Sequence, residues 1–324
     1  MNWYVIKLSF TAPVHFGSAT SGQALPGGDV AFHADTFFSA LCLEALRQKG
    51  ENELQALVEA VRSGKLLFSD GFPWKGETLY LPRPVLGPSG FTPISSDRKA
   101  MKRVSYLPVE DYLSYFSNLS SREITVDPQK WIVHFGNAFV SSKAALRQSE
   151  ETEPYSVGLF RFADDCGLYV LVGTDSPERF EEICEFAYSL GMSGIGGKTS
   201  AGYGSFAVLE AVPVHKIPNP QGEMLLSWLK TKNATRWVTL SACLPKDEEL
   251  DSSLEGAAYQ LIRRGGFIQS PALRQAAKKA EQVFLVAGST FTQQFEGDLY
   301  DVSFPDSPHP VYRYGKPVFL GVTV

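Results

Sequence analysis

The sequence is poor in the groups from which metal sites, disulfide frameworks and membrane spans are built. Its 324 residues include 4 cysteines and 5 histidines. Cys42, Cys166, Cys184 and Cys243 stand far apart without a Cys-x-x-Cys pair, so neither a zinc site nor a disulfide framework is read from them. His134, His215 and His309 have no ligand-like spacing with cysteine, carboxylate or each other, and no metal or cofactor is expected. No uninterrupted apolar stretch approaches the roughly 18 residues a membrane span needs. Met1 to Phe10 alternates like a strand where a secretory signal would place a basic and then an apolar region, so a cytoplasmic protein with reduced thiols is expected. Without secretion, the Asn-x-Ser/Thr sites at Asn118 and Asn233 carry no meaning. Positive charge is also short, with 30 Lys and Arg against 35 Asp and Glu, a net charge of -5. This excludes a protein that coats itself with nucleic acid through a global positive field, and leaves room for a local basic groove.

What is present is apolar content, 44% of the chain, enough for one large domain or two ordinary ones. Trp3 to Phe10 reads as a strand, followed by a Gly/Pro-punctuated loop from Pro13 to Val30. Phe37, Phe38, Leu41, Cys42, Ala45 and Leu46 recur at helical spacing between Asp35, read as the N-cap, and Gly50. A second helical run covers Glu51 to Val61, and short strands follow at Leu66 to Phe68 and Thr78 to Leu81. The stretch 87–128 is irregular and rich in Ser and Tyr. Strands return at Trp131 to Val140, Tyr155 to Phe162 and Leu168 to Val172. Ser176 caps a helix that Pro177 opens, and Tyr203 to Val212 is a final strand. Strand, helix, strand, strand, helix, strand is the split βαβ order of a ferredoxin-like domain, so an α+β class is expected, with this domain over 1–212. Pro213, Pro218 and Pro220 mark a boundary. Beyond it, 213–324 reads as mostly β.

Three segments point to nucleic acid. Ser193 to Phe206 holds five glycines, among them Gly194, Gly196 and Gly197, and its backbone N–H groups together with Lys198, Thr199 and Ser200 suit an anion. Met192 stands where a Walker A loop needs its first glycine, and this loop follows a helix and leads into a strand, so nucleotide hydrolysis is not expected. A plain helix-to-strand connection is the alternative, but Tyr203 between glycines favours a nucleobase partner. From Gly256 to Ala280 the chain has Arg263, Arg264, Arg274, Lys278 and Lys279 and no acidic residue. Arg263-Arg264-Gly265-Gly266-Phe267 suits single-stranded RNA, or is a solvated face balancing Asp247 to Glu255. Arg98, Lys99, Lys102 and Arg103, followed by Tyr106, Tyr112 and Tyr115, form a basic and aromatic loop or simply a polar one. His15 and His33 flank the first loop; an acid/base pair for metal-free RNA cleavage and two structural side chains are both open.

Together these segments resemble the RAMP proteins of CRISPR systems, specifically the fourth subunit of the type III-A Csm effector complex. The carriers are Phe32 to Leu41, Leu81-Pro82-Arg83-Pro84, the loop Gly194 to Phe206, Arg263 to Phe267, Ala287 to Phe291, and His309 to Pro317. The resemblance implies a pair of ferredoxin-like, RRM-related domains, the second degenerate, with a thumb-like insertion at about 87–128. It implies a subunit without catalysis that holds the 5′ handle of CRISPR RNA and docks a large polymerase-like subunit onto the backbone RAMP subunit. The glycine-rich loop would bind the handle, the loop around His33 would face the same RNA, and residues 98–103 would reach along the guide. Phe135 to Lys143 matches the family pattern poorly. A processing endoribonuclease using His15 or His33, and the equivalent cap of a type III-B complex, are the alternative readings.

Overall fold

The alternating run at the chain start forms strand β1, Asn2–Phe10, an interior strand of the main sheet one place in from its edge. The computed structural model describes residues 1–17, 30–85, 98–120, 128–145, 153–218, 220–273, 275 and 277–323. Helices α1 (Ala34–Lys49) and α2 (Glu51–Arg62) come next, then β2 (Leu66–Phe68), β3 (Phe72–Lys75) and β4 (Thr78–Pro82). They are followed by α3 (Arg98–Arg103), β5 (Tyr106–Pro108) and α4 (Tyr112–Ser120). A ribbon of β6 (Gly136–Ala145) and β7 (Glu153–Phe162) precedes β8 (Cys166–Thr174), α5 (Pro177–Ser193) and β9 (Phe206–Pro213). Strand β1 lies between β8 and β9, antiparallel to both. On the far side β2 and β3 pair with β8, and β4 and β5 extend the sheet from β3. With β1, β2, β8 and β9 as its strands and α1 and α5 as its crossovers, this is the split βαβ order expected from the sequence.

Successive strand residues point to opposite faces, so β1 feeds two cores. Tyr4, Ile6 and Leu8 pack with Phe37, Phe38 and Leu41 of α1 and Phe180, Ile183 and Phe186 of α5. Trp3 and Val5 face the other way, into a cluster with Met101, Val104, Tyr112, Trp131, Trp228, Val238 and Leu320. Within the stretch expected to be irregular, residues 98–120 thus hold two helices and a sheet strand, organised by apolar residues at three- and four-residue spacing. Tyr112 and Tyr115 are buried core rings and not the exposed aromatics expected of a nucleic-acid loop. Residues 86–97 and 121–127 of that stretch lie outside the described residues.

In the C-terminal part short strands outnumber helices. It comprises α6 (Gln221–Lys230), β10 (Arg236–Thr239), α7 (Leu250–Leu254), β11 (Leu261–Arg264), β12 (Gln282–Leu285), β13 (Thr290–Phe291), β14 (Leu299–Asp301), β15 (Tyr312–Tyr314) and β16 (Phe319–Val322). These form a three-stranded sheet, β13-β10-β16, and two ribbons, β11-β12 and β14-β15. Across the expected boundary at Pro213 the core is continuous, since Val214, Ile217, Leu225 and Trp228 share a cluster with Trp3 and Val5.

Helix starts test the sequence reading most sharply. Ser176 caps α5 as expected, its Oγ accepting the Arg179 N–H at 3.1 Å. Asp35 does not cap α1: the N-cap is His33, with φ -89 and ψ 158, and Asp35 lies in the first helical turn. The capping carboxylate is Asp70, whose Oδ1 accepts the Ala34 N–H at 2.8 Å and the Ala242 N–H at 2.9 Å. Its Oδ2 takes the His33 Nδ1–H at 2.7 Å. Asp35 turns instead to the C-terminal part, accepting from Arg264 Nη2 at 2.6 Å and Nε at 3.0 Å.

Candidate nucleic-acid interface

The glycine-rich loop leaves α5 and returns as β9. The Gly194 N–H ends the helix on Leu190 O at 2.7 Å, and the Ile195 N–H closes the loop base on Gly204 O at 3.0 Å. The Gly197 N–H donates to His15 O at 2.9 Å and the Gly204 N–H to Pro13 O at 2.9 Å, seating the loop on the segment after β1. Glycine is needed here for close approach. A Cβ on Gly204, at φ +80, would lie 2.1 Å from Ile195 O, whereas one on Gly202, at φ +81, meets nothing within 4 Å. Both pay for left-handed backbone when replaced by alanine, about 1–2 kcal/mol, and only Gly204 adds a backbone collision. Urea unfolding should therefore find Gly204→Ala destabilised by about 2–4 kcal/mol and Gly202→Ala by about 1 kcal/mol.

With those donors engaged inward, the N–H groups of Gly196, Lys198, Thr199 and Ser200 make no backbone hydrogen bond among the described residues. Lys198 sits at φ 62, and Thr199–Ala201 forms a single 3-10 turn after it. Ser200, in the middle of that turn, is exposed. This is the part of the loop able to present N–H groups to an anion.

The β6-β7 ribbon supplies the opposite wall. It runs in register from Gly136↔Phe162 to Ala145↔Glu153 and is tied to the same seat as the loop. Val14 and Phe160 exchange backbone bonds of 2.8 and 2.9 Å, and His15 Nδ1–H donates to Gly158 O at 2.7 Å. Lys198 Nζ stands 4.8 Å from the Tyr155 ring centroid, and Lys143 Nζ 5.0 Å from that of Tyr203. Lys143 and Tyr155 are cross-strand partners, so two lysines and two tyrosines interleave between ribbon and loop. The hydrogen bond from Lys143 pulls the Tyr203 phenol below its ordinary range, with Ser141 as a second side-chain partner. Lys143 and Tyr155 were not singled out in the sequence; only strand register brings them together.

The other sequence candidates are dispersed. His33 adjoins this region through Phe32, whose ring meets Phe16, the ring against which Gly196 is set. The Nδ1 atoms of His15 and His33 are held by different partners, Gly158 O and Asp70. Arg264 is bound to Asp35 and also donates to Thr36 Oγ1 at 3.1 Å. Lys279 Nζ donates to Ser39 Oγ at 3.1 Å. Arg263 is exposed, and Phe267 is 60% exposed with Lys278 over its ring. Lys102 and Arg103 are exposed on α3, which packs on the face of the sheet opposite α1 and α5. The side chains of Arg98 and Lys99, and Arg274 altogether, lie outside the described residues. Among those residues no group of three His, Cys, Asp or Glu is placed to hold a metal, and no helix is long and apolar enough to cross a membrane.

A split βαβ sheet carrying a glycine-rich loop between its second helix and last strand defines the class, the RAMP fold of CRISPR effector subunits. A chain of the Csm3-Csm4 subcomplex in the type III-A CRISPR-Cas interference complex superposes with a TM-score of 0.67 at 17% identity, covering 100% of both chains. A chain of the Csm1-Csm4 cassette in complex with cA4 superposes with a TM-score of 0.61 at 20% identity, covering 100% of this chain and 99% of that one. Residues 232–322 match the family described as the CRISPR Csm4 C-terminal domain. Over 325 residues the chain is 31% identical to the CRISPR system Cms protein Csm4 of Mycobacterium tuberculosis (strain ATCC 25618 / H37Rv), covering 99% of this chain and 98% of that protein. The chain belongs to the Csm4 family.

Proposed function

We propose that this chain is a non-catalytic, RNA-binding subunit of a cytoplasmic type III-A CRISPR effector complex. In this reading it holds the 5′ handle of the CRISPR RNA and docks the large polymerase-like subunit beside the backbone RAMP subunit. The observation that carries the RNA role is the convergence of N–H groups without a backbone acceptor, Lys198 and two tyrosine rings between loop and ribbon. Backbone donors and ammonium groups suit phosphates, and aromatic rings suit splayed bases. The protein partners are supported by the assemblies in which similar chains were crystallised, a Csm3-Csm4 subcomplex and a Csm1-Csm4 cassette.

Lys198→Ala is expected to weaken binding of repeat-derived single-stranded RNA and to reduce the slope of log affinity against log salt by about 0.7, the loss of one phosphate contact. Fluorescence anisotropy at several salt concentrations measures both quantities. An affinity unchanged at every salt concentration would remove the loop from the RNA site.

A further inference from the structure

We infer that Lys143 and Tyr155 of the β6-β7 ribbon complete the RNA site as a two-base clamp, stacking one unpaired base on Tyr155 and one on Tyr203 while Lys143 and Lys198 move onto adjoining phosphates. This rests on the reading that the glycine-rich loop binds single-stranded RNA. The lysines and tyrosines cross between two elements, each ammonium resting on the ring presented by the other. The ribbon does not depend on these contacts for its position, because His15 and Val14 already anchor it to the loop's seat through backbone oxygens and a bridged pair.

An ammonium over an exposed ring is a weak and exchangeable partner. A nucleobase competes for the same ring face through stacking, and a displaced lysine gains a phosphate at the distance of one nucleotide. Binding therefore exchanges two cation–ring contacts and the Lys143–Tyr203 hydrogen bond for two base–ring and two cation–phosphate contacts. The ligand this selects is single-stranded, because paired bases have no free face for either ring. It tolerates different base identities, because every base offers a π-face.

The test uses the full chain, repeat-derived single-stranded RNA, and the same RNA carrying an abasic ribose at each position in turn. Tyr155→Ala should weaken binding about 5- to 150-fold, and Tyr155→Phe, which keeps the ring, should restore most of it. At one position the abasic ribose should reproduce this loss in the wild type and add nothing further in Tyr155→Ala. Lys143→Ala should lower the salt slope by about 0.7. If Lys198→Ala weakens binding while Tyr155→Ala and Lys143→Ala bind like the wild type, the clamp is overturned and the loop site stands. If the wild type binds this RNA no better than duplex RNA of the same length, the single-strand reading of the loop fails and the clamp with it.

Discussion

Asp70→Ala lowers the free energy of unfolding by about 3–5 kcal/mol, read as a shift of the urea midpoint, although Asp70 touches no candidate ligand-binding group except His33. The size follows from what one carboxylate holds. Its Oδ1 serves the first N–H of α1 and the N–H of Ala242, and its Oδ2 serves His33. Asp70 is 3% exposed, so water does not replace it. Each hydrogen bond to a charged acceptor is worth about 1.5–3 kcal/mol, and a buried N–H left without a partner costs about 1–3 kcal/mol. Asp70→Asn separates these contributions. It keeps an oxygen for the two amides and loses only the charge and the His33 contact, so it should cost about 1–2 kcal/mol. If the alanine variant were no worse than the asparagine one, Asp70 would not be the cap of α1.

Asp35→Ala has the second large effect, again about 3–5 kcal/mol, because it removes the negative charge that compensates a group of largely buried cations. The Arg264 side chain is 14% exposed and that of Arg313 1%, with Arg313 Nε 3.8 Å from the Asp35 carboxylate. Lys279 lies close by, its ammonium pushed down from the ordinary lysine value by burial and pulled up by Asp35. Burial by itself would raise the Asp35 pKa, but Arg264, with His33 and Lys279, outweighs it and brings the carboxyl to about 2. The folded pKa is thus below the unfolded one. The group's contribution is full above about pH 4 and is lost as pH falls through about 2, because the unfolded chain takes up the proton first. A depression of this size corresponds to about 2 kcal/mol. The wild type should lose that much more stability than Asp35→Asn between pH 5 and pH 2, and parallel pH profiles for the two proteins would contradict the pairing.

The elements were readable wherever their signal is local. Alternation along β1, helical spacing in α1, and the Ser176-Pro177 start of α5 each need only a few neighbouring residues, and each is found as expected. Partnerships across the chain were not readable. Asp35 is a good N-cap residue by type and position, yet its partner is 229 residues away, and the true cap stands 36 residues from Ala34. Arg263-Arg264-Gly265-Gly266-Phe267 suits RNA by composition, but Arg264 is committed to α1.

The candidate site divides in the same way. The glycine-rich loop was visible because glycines cluster where backbones approach closely, whereas which of its N–H groups are already engaged depends on Pro13 and His15. Lys143 and Tyr155 meet only through the register of a ribbon. His309 to Pro317 carried part of the family resemblance, and the structure supplies a physical reason for its residue types. Arg313 reaches Asp35, Tyr314 OH accepts the Phe68 N–H at 2.9 Å, and Lys316 Nζ reaches Gly297 O at 3.3 Å.

The place of β1 between two late partners also sets a timetable for biosynthesis. Its partners begin at Leu168 on one side and Phe206 on the other, so the strand emerges from the ribosome long before either neighbour exists. At about 5–20 residues per second it waits roughly 10–30 s with both edges open, while α1 alone is available early to cover one of its faces. The nascent chain is therefore most vulnerable to aggregation before β8 is made. Slowing translation between α2 and β8 would lengthen that exposure, whereas slowing it after β9 would leave this strand already sheltered.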